Sequence, residues 1–161
     1  MTRQPSHHPS SEVLLAYAAG TLPAGFDIVA AAHIRGCRQC RRDVAAFESA
    51  GGAMLGSSEG AALGDDALAR VLSRLDAPAL EAPPAPTLDD LLSAAKRRWV
   101  SPGVWVAQVP TPHAPQDRVY LLSAAPGAAT AKHGHQGREF TQVLSGALLD
   151  DGVVYGAGDF T

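Results

Sequence analysis

One segment restricts the fold of this chain more than any other: His33, Cys37 and Cys40 follow an H-x3-C-x2-C spacing, and they include both cysteines of the 161 residues. Zinc binds thiolates and imidazoles in a tetrahedron, and a two-residue separation lets both sulfurs reach one ion. The segment therefore predicts three ligands of a zinc site. Upstream, either His7 or His8 could complete a Cys2His2 shell. We favour His8, because it lies nearer the first helical pattern.

The alternative for the two cysteines is a reduced C-x-x-C redox pair. Such a pair normally begins a helix that follows a strand, and no strand-like run precedes residue 33. We predict instead that Gly36 ends one helix in a left-handed cap and that Cys37 begins the next. This arrangement would bring the imidazole beside both sulfurs and favours the metal site.

Three short helices are predicted around this site. The first ends at Gly20, the second runs from Pro23 to Ile34, and the third runs from Cys37 to about Ala50. Three helices in so few residues bury little apolar surface, and domains of this size usually need a metal or a disulfide to fold stably. A structural zinc would supply that stabilisation.

A fourth amphipathic helix is predicted over residues 65–76, beyond a Gly-rich segment (49–64) that resembles a flexible tether. Its apolar stripe follows the i, i+3, i+4, i+7 pattern and consists of Leu68, Val71, Leu72 and Leu75. A helix this short is not stable alone in water. It either packs back on its own bundle or docks into a groove on another protein, and the pattern leaves both possibilities open.

The second half changes to period-two patterns that favour an all-β fold. A short helix is predicted from Thr87 to Trp99. A hairpin turn is predicted at residues 150–152. The predicted strands are 104–108, 119–123, 140–144 and 153–155.

A second candidate metal site lies within this half. His133 and His135, two residues apart, would point to the same face of a strand, and Glu139 follows a glycine turn. Two imidazoles and a carboxylate suit a divalent metal. The alternative is a surface histidine pair in a polar loop, and we interpret His113, which lies among prolines, as a solvated loop residue.

Charge and hydropathy exclude some classes of protein. The formal net charge is −3, with acidic residues in excess in both halves, whereas nucleic-acid binding needs a surplus of positive charge. The apolar runs are far too short for a transmembrane helix, and the N-terminus is a poor signal peptide. A cysteine pair with metal spacing indicates a reducing compartment, so a cytoplasmic location is expected.

The motifs on both sides of the linker resemble known families. Residues Gly127, His133, His135, Glu139 and Gly146 form a G-x5-H-x-H-x3-E-x6-G pattern that is similar to the first cupin motif. The N-terminal half, with its H-x3-C-x2-C segment, resembles the zinc-binding anti-sigma domain. In this order, the two resemble the ChrR-type anti-sigma factors over nearly the whole chain.

This resemblance implies an α+β multidomain fold: a small zinc-bound helical bundle of three helices plus a tethered fourth, followed by a partial β-barrel or jelly-roll cupin. The expected units are an anti-sigma domain (1–76), a Pro/Ala linker (77–86) and a cupin domain (87–161). The cupin is expected to be incomplete at its C-terminus, because the sequence ends at Thr161 before the usual fourth ligand, a histidine, and the closing strands.

The resemblance also implies a function: sequestering an extracytoplasmic-function (ECF) sigma factor, negatively regulating transcription, and releasing it under oxidative stress of the singlet-oxygen type. No enzymatic activity, nucleic acid, membrane or small-molecule substrate is expected. The helix at 65–76 would contact the sigma factor. The rival hypothesis is a metal-dependent cupin enzyme, an oxygenase or isomerase, with a helical appendage. The implied ligands are His8, His33, Cys37 and Cys40 for zinc, and His133, His135 and Glu139 for a second divalent metal, most simply zinc.

Overall fold

The computed structural model describes residues 4–75, 96–111, 116–129 and 137–161. Within these ranges, helices precede antiparallel strands, which confirms the mixed α+β class. None of the helices described is both long and apolar enough to cross a membrane. The helices are α1 (Ser11–Ala18), α2 (Ala24–Gly36), α3 (Arg38–Gly56) and α4 (Ala67–Leu75), and the strands are β1 (Arg97–Ser101), β2 (Val104–Val109), β3 (Val119–Ala124), β4 (Ala147–Asp150) and β5 (Val153–Gly156).

Helix α1 is capped by Ser10 at its start and closed by Gly20 at its end, and the closure at Gly20 was predicted. The Ser10 hydroxyl accepts a hydrogen bond from the Val13 N–H, which satisfies one unpaired donor of the first turn. At the other end Gly20 adopts a φ of +66° and its N–H donates to the Tyr17 carbonyl. The left-handed glycine closes the helix and turns the chain towards α2.

The junction between α2 and α3 differs from the prediction, because Gly36 is the last residue of α2 and not a left-handed cap. Cys37 makes the turn in an extended conformation (φ −101°, ψ 116°). Its N–H still donates to the His33 carbonyl, and its carbonyl accepts from the Arg41 N–H. One extended residue therefore changes the direction of the chain and still makes a backbone hydrogen bond with each of the two helices.

Helix α3 is longer than predicted and includes much of the Gly-rich segment. It continues to Gly56, so the first part of the predicted tether, from Ser49 onward, is helical. Each glycine costs a helix about 1 kcal/mol relative to alanine. The intervening good helix formers, such as Ala53 and Leu55, offset that cost.

The helical core and the cysteines form one cluster. The side chains of α1, α2 and α3 converge on six buried residues: Leu14, Ala30, Ile34, Cys37, Cys40 and Val44. The predicted metal-binding thiols are thus part of the hydrophobic core, and the packing of the three helices fixes where they lie.

Leu14 and Leu15 offer a matched test of this core. Leu14 is 3% exposed and Leu15 is 50% exposed on the same helix. Leu14→Ala is expected to lower the free energy of unfolding by about 2–5 kcal/mol, because it leaves a cavity. Leu15→Ala is expected to change it by less than about 1 kcal/mol. Urea denaturation of the zinc-loaded protein, followed by helical circular dichroism, measures both, and equal losses would contradict the assigned core.

The β half contains a three-stranded sheet, β1-β2-β3, and a separate hairpin, β4-β5. The strands predicted near 104–108, 119–123 and 153–155 are confirmed as β2, β3 and β5. Asp151 and Gly152 form the hairpin turn with φ of 44° and 81°, as predicted.

Two predictions in this half are wrong. Arg97–Trp99, placed at the end of a helix, belong to β1 and pair with β2, while most of that predicted helix lies outside the described residues. Residues 140–144 do not form a strand: besides the isolated bridge Gln142↔Phe160, backbone hydrogen bonds join Thr141 to Thr161 and Val143 to both Asp159 and Gly158.

The described parts of the two halves are in contact. The Phe26 and Phe140 rings lie 4.4 Å apart, and the Asp117 carboxylate accepts a hydrogen bond of 2.7 Å from the Gly25 N–H at the start of α2. A Cβ on Gly25 would lie 3.0 Å from the Asp117 Cβ, so glycine permits this close approach. The first contact places Phe140 against α2, and the second places Asp117 against the N-terminal end of the same helix.

Candidate metal centre

Four predicted ligands meet where the helices converge. His33 lies in the last turn of α2, Cys37 at the junction, Cys40 in the first turn of α3, and His8 just before α1. His33 and both cysteines are at most 1% exposed, and His8 is half-buried. Their ligand atoms all lie within 4.8 Å of one another. The fold thus brings His8 to three ligands that lie 25, 29 and 32 positions later in the sequence.

The interatomic distances match a tetrahedral zinc site. His8 Nδ1 lies 3.4 Å from His33 Nε2 and 3.5 Å from each cysteine Sγ, and Cys40 Sγ lies 3.3 Å from His33 Nε2. Zinc bonds of about 2.0–2.1 Å to nitrogen and about 2.3 Å to sulfur place tetrahedral ligands about 3.4 Å (N to N) and about 3.6 Å (N to S) apart. The cluster therefore fits zinc with little rearrangement.

The structure distinguishes the two candidate histidines. His8 faces the cluster, whereas the His7 Nδ1 lies 3.1 Å from Asp159 Oδ2. The preference for His8 as the fourth ligand is consistent with this geometry.

The outer nitrogen of His33 is held by the C-terminal segment. Its Nδ1 lies 2.9 Å from the Gly158 carbonyl oxygen and 3.0 Å from Gln142 Oε1. Both partners are acceptors, so Nδ1 carries the hydrogen and Nε2 keeps its lone pair for a metal. Such outer hydrogen bonds orient metal-binding histidines in many proteins.

Burial opposes charge on His33 and Cys40 when no cation is present. It lowers the pKa of His33, although hydrogen bonds to Gln142 and Gly158 partly counteract it. Burial also raises the pKa of the Cys40 thiol, and the neighbouring Cys37 and Asp43 raise it further. The Cys40 thiol therefore becomes a thiolate most readily when a divalent cation balances its charge.

Asp159 is a buried carboxylate with an unusual set of donors. Its Oδ1 accepts from the N–H groups of Ser6 (2.6 Å) and His7 (3.1 Å), and its Oδ2 accepts from the Gly156 N–H (2.8 Å). Burial alone would raise the pKa of Asp159, but the hydrogen bonds from Ser6, His7 and Gly156 outweigh it and hold the pKa well below its usual range. The carboxylate is therefore a charged anchor for residues 6 and 7.

Sequence reasoning missed Asp159, Gln142 and Gly158. They lie 109 to 153 residues from their partners His33 and Ser6, and local patterns carry no information about such pairs. Their only local signal is the Gly-Ala-Gly-Asp run at 156–159, which resembles an ordinary turn.

The second predicted metal site is only partly visible. His113, His133 and His135 lie outside the described residues, and Glu139 is exposed. Gly127 and Gly146 of the motif have φ of +77° and +74°. The ligand set of this site stays a prediction.

The stripe of α4 faces solvent in this structure. The helix has no buried residue among those described. The four stripe residues are between 51% and 75% exposed: Leu68, Val71, Leu72 and Leu75. Of the two possibilities left open by the sequence, this arrangement favours docking on a partner over packing on the bundle.

The chain was compared with protein-family models, with characterised proteins and with solved structures. No protein-family model matches the chain. The chain is 37% identical over 163 aligned positions to the anti-sigma-E factor ChrR of Cereibacter sphaeroides, covering 95% of this chain and 76% of that protein. It also matches a chain of the crystal structure of Rhodobacter sphaeroides SigE in complex with the anti-sigma ChrR, with a TM-score of 0.84 and 36% identity over 98% of this chain and 86% of that one.

Proposed function

The chain belongs to the ChrR-type family of anti-sigma factors, and from that premise we propose that it sequesters a sigma factor of the ECF class and so represses transcription. The observation that carries the proposal is the match over 98% of the chain to a component of a sigma and anti-sigma complex. Because a sigma factor acts with RNA polymerase, we place this activity in the cytoplasm.

Inhibition would come from binding and not from chemistry. A zinc ion held by His8, His33, Cys37 and Cys40 would cross-link α2, α3 and the segment before α1. The fixed bundle would then present one surface to the partner, and α4 would add its exposed stripe. Together they would cover sigma surfaces that otherwise contact polymerase.

The rival hypothesis is a metal-dependent cupin enzyme with a helical appendage. Membership of an anti-sigma family identifies the chain as a regulator and not an enzyme. Anti-sigma factors act by occupying a protein surface, so no catalytic residue is assigned.

Co-expression with ECF sigma factors from the same cell tests the proposal. The chain is expected to co-purify with one of them at equal stoichiometry and to block its run-off transcription by core polymerase, while transcription by the housekeeping sigma factor continues. A chain that loads zinc but neither retains nor inhibits any ECF sigma factor would contradict the function and leave the metal site intact.

We further propose that oxidative stress of the singlet-oxygen type releases the sigma factor and that the β half binds a second divalent metal for this response. The support is the cupin-like motif, with His133, His135 and Glu139 as ligands. The double change His133→Ala and His135→Ala is expected to remove one metal equivalent and to leave the one bound by the cysteines.

The same double variant should still repress but fail to release the sigma factor under light with a photosensitiser. Metal analysis and a sigma-dependent reporter measure the two effects. The matched control is His113→Ala, which is expected to change neither. Unchanged metal content would refute the second site, and normal release would refute its role in the stress response.

A further inference from the structure

The C-terminal segment (residues 141–161) contacts His33 of the metal centre and the residues just before His8. On one side, Gly158 and Gln142 accept from His33 Nδ1. The Phe160 ring also packs edge-on against the His33 ring, with centroids 5.7 Å apart. These contacts leave the imidazole of His33 little freedom to rotate.

On the other side, the segment binds the backbone that leads into His8. The Asp159 carboxylate accepts hydrogen bonds from the N–H groups of Ser6 and His7. The Phe160 N–H donates a hydrogen bond of 3.1 Å to the His7 carbonyl. Pro5 also packs closely on Gly158: a Cβ added to Gly158 would lie 3.2 Å from the Pro5 Cγ.

The four ligands therefore divide into two pairs. Cys37 and Cys40 are placed by α2 and α3, in the helical core. The ring of His33 and the backbone just before His8 are instead held by groups from the far end of the described chain. The metal centre lies between the two halves, although all four of its ligands belong to the first.

We infer that Asp159 and Gln142 are positioning residues of the metal centre, so that docking of the C-terminal segment and metal retention stabilise each other. This inference rests on the proposed zinc site. Coupling of this kind is reciprocal: loss of the metal weakens docking, and displacement of the segment weakens metal binding. It would give the β half a physical route to the sigma-binding bundle without any new contact to the sigma factor.

Cobalt substitution in the 161-residue chain tests the inference specifically. Both cysteines of the chain lie in this centre, so the thiolate-to-cobalt charge-transfer band reports on this site alone. The measurement is the rate at which excess EDTA abolishes the band. Loss of an outer-shell partner typically weakens metal binding about 10- to 100-fold. We expect Asp159→Ala, Asp159→Asn and Gln142→Leu to speed cobalt release about 10-fold or more.

Two controls separate positioning from general destabilisation. Gln142→Glu keeps an oxygen acceptor for His33 Nδ1 but loses the donation from Nε2 to the Val143 carbonyl, so it should release cobalt more slowly than Gln142→Leu does. Asp117→Ala removes another carboxylate that joins the halves, through the Gly25 N–H two turns before His33, and should leave the rate within about threefold.

The outcomes distinguish the inference from the proposed site. Cobalt release at the original rate in the Asp159 and Gln142 variants, or equally fast release from Asp117→Ala, would overturn the inference while leaving the site intact. A chain that shows no charge-transfer band at all would instead refute the proposed metal site.

Discussion

Cys37→Ser is expected to abolish zinc loading at the N-terminal site and sigma-factor binding together. A serine oxygen is a poor substitute for a thiolate, and Cys37 is fully buried in the core at the junction of α2 and α3. Structural zinc contributes about 10–16 kcal/mol in zinc-finger peptides, whereas whole domains are stable by only about 5–15 kcal/mol. Loss of the ion should therefore unfold the helical bundle and weaken sigma binding by more than about 100-fold.

Gln39→Ser is the matched control, because Gln39 lies between the cysteines and is exposed. It should load zinc and bind the sigma factor normally. Metal analysis, helical circular dichroism and titration calorimetry with the sigma factor measure the effects. A Cys37→Ser protein without zinc that still binds the sigma factor with the original affinity would show that zinc does not hold the binding surface together.

The sequence predicted those parts of the metal centre that local chemistry determines. The thiols and His33 fall within eight residues, and their spacing already implies a shared ion. The choice between His7 and His8 depends on a tertiary contact, the hydrogen bonds of His7 with Asp159. Local pattern could favour one histidine only by its distance from α1.

The errors in the fold have a similar origin. The extent of α3 depended on a balance between glycine and its helix-forming neighbours, which no single breaker residue decides. Residues 140–144 have the composition of a strand, but their pairing with residues 158–161 amounts to one isolated bridge. Strand formation depends on an available partner, and the sequence of one segment does not reveal whether its partner is regular.

The double change Leu68→Asp and Leu75→Asp in α4 is expected to weaken sigma binding by at least about 30-fold. These two residues are the most exposed of the stripe, at 70% and 75%, and so have the most surface left to bury on a partner. Full burial of a leucine is worth about 1.5–3 kcal/mol, and losing even about 2 kcal/mol across the pair corresponds to about 30-fold in Kd. The fold should be unaffected, because α4 has no buried residue.

The double change Ala69→Asp and Ser73→Asp is the control for this prediction. It adds the same charge to the same helix, at two exposed positions on a different face. For the control, a Kd within about threefold of the original is expected. Titration calorimetry with the sigma factor measures it, with each double variant loaded with zinc. If the two double variants weaken binding equally, added charge is the cause and not the stripe. If neither weakens it, α4 lies outside the interface and the helical bundle binds the sigma factor alone.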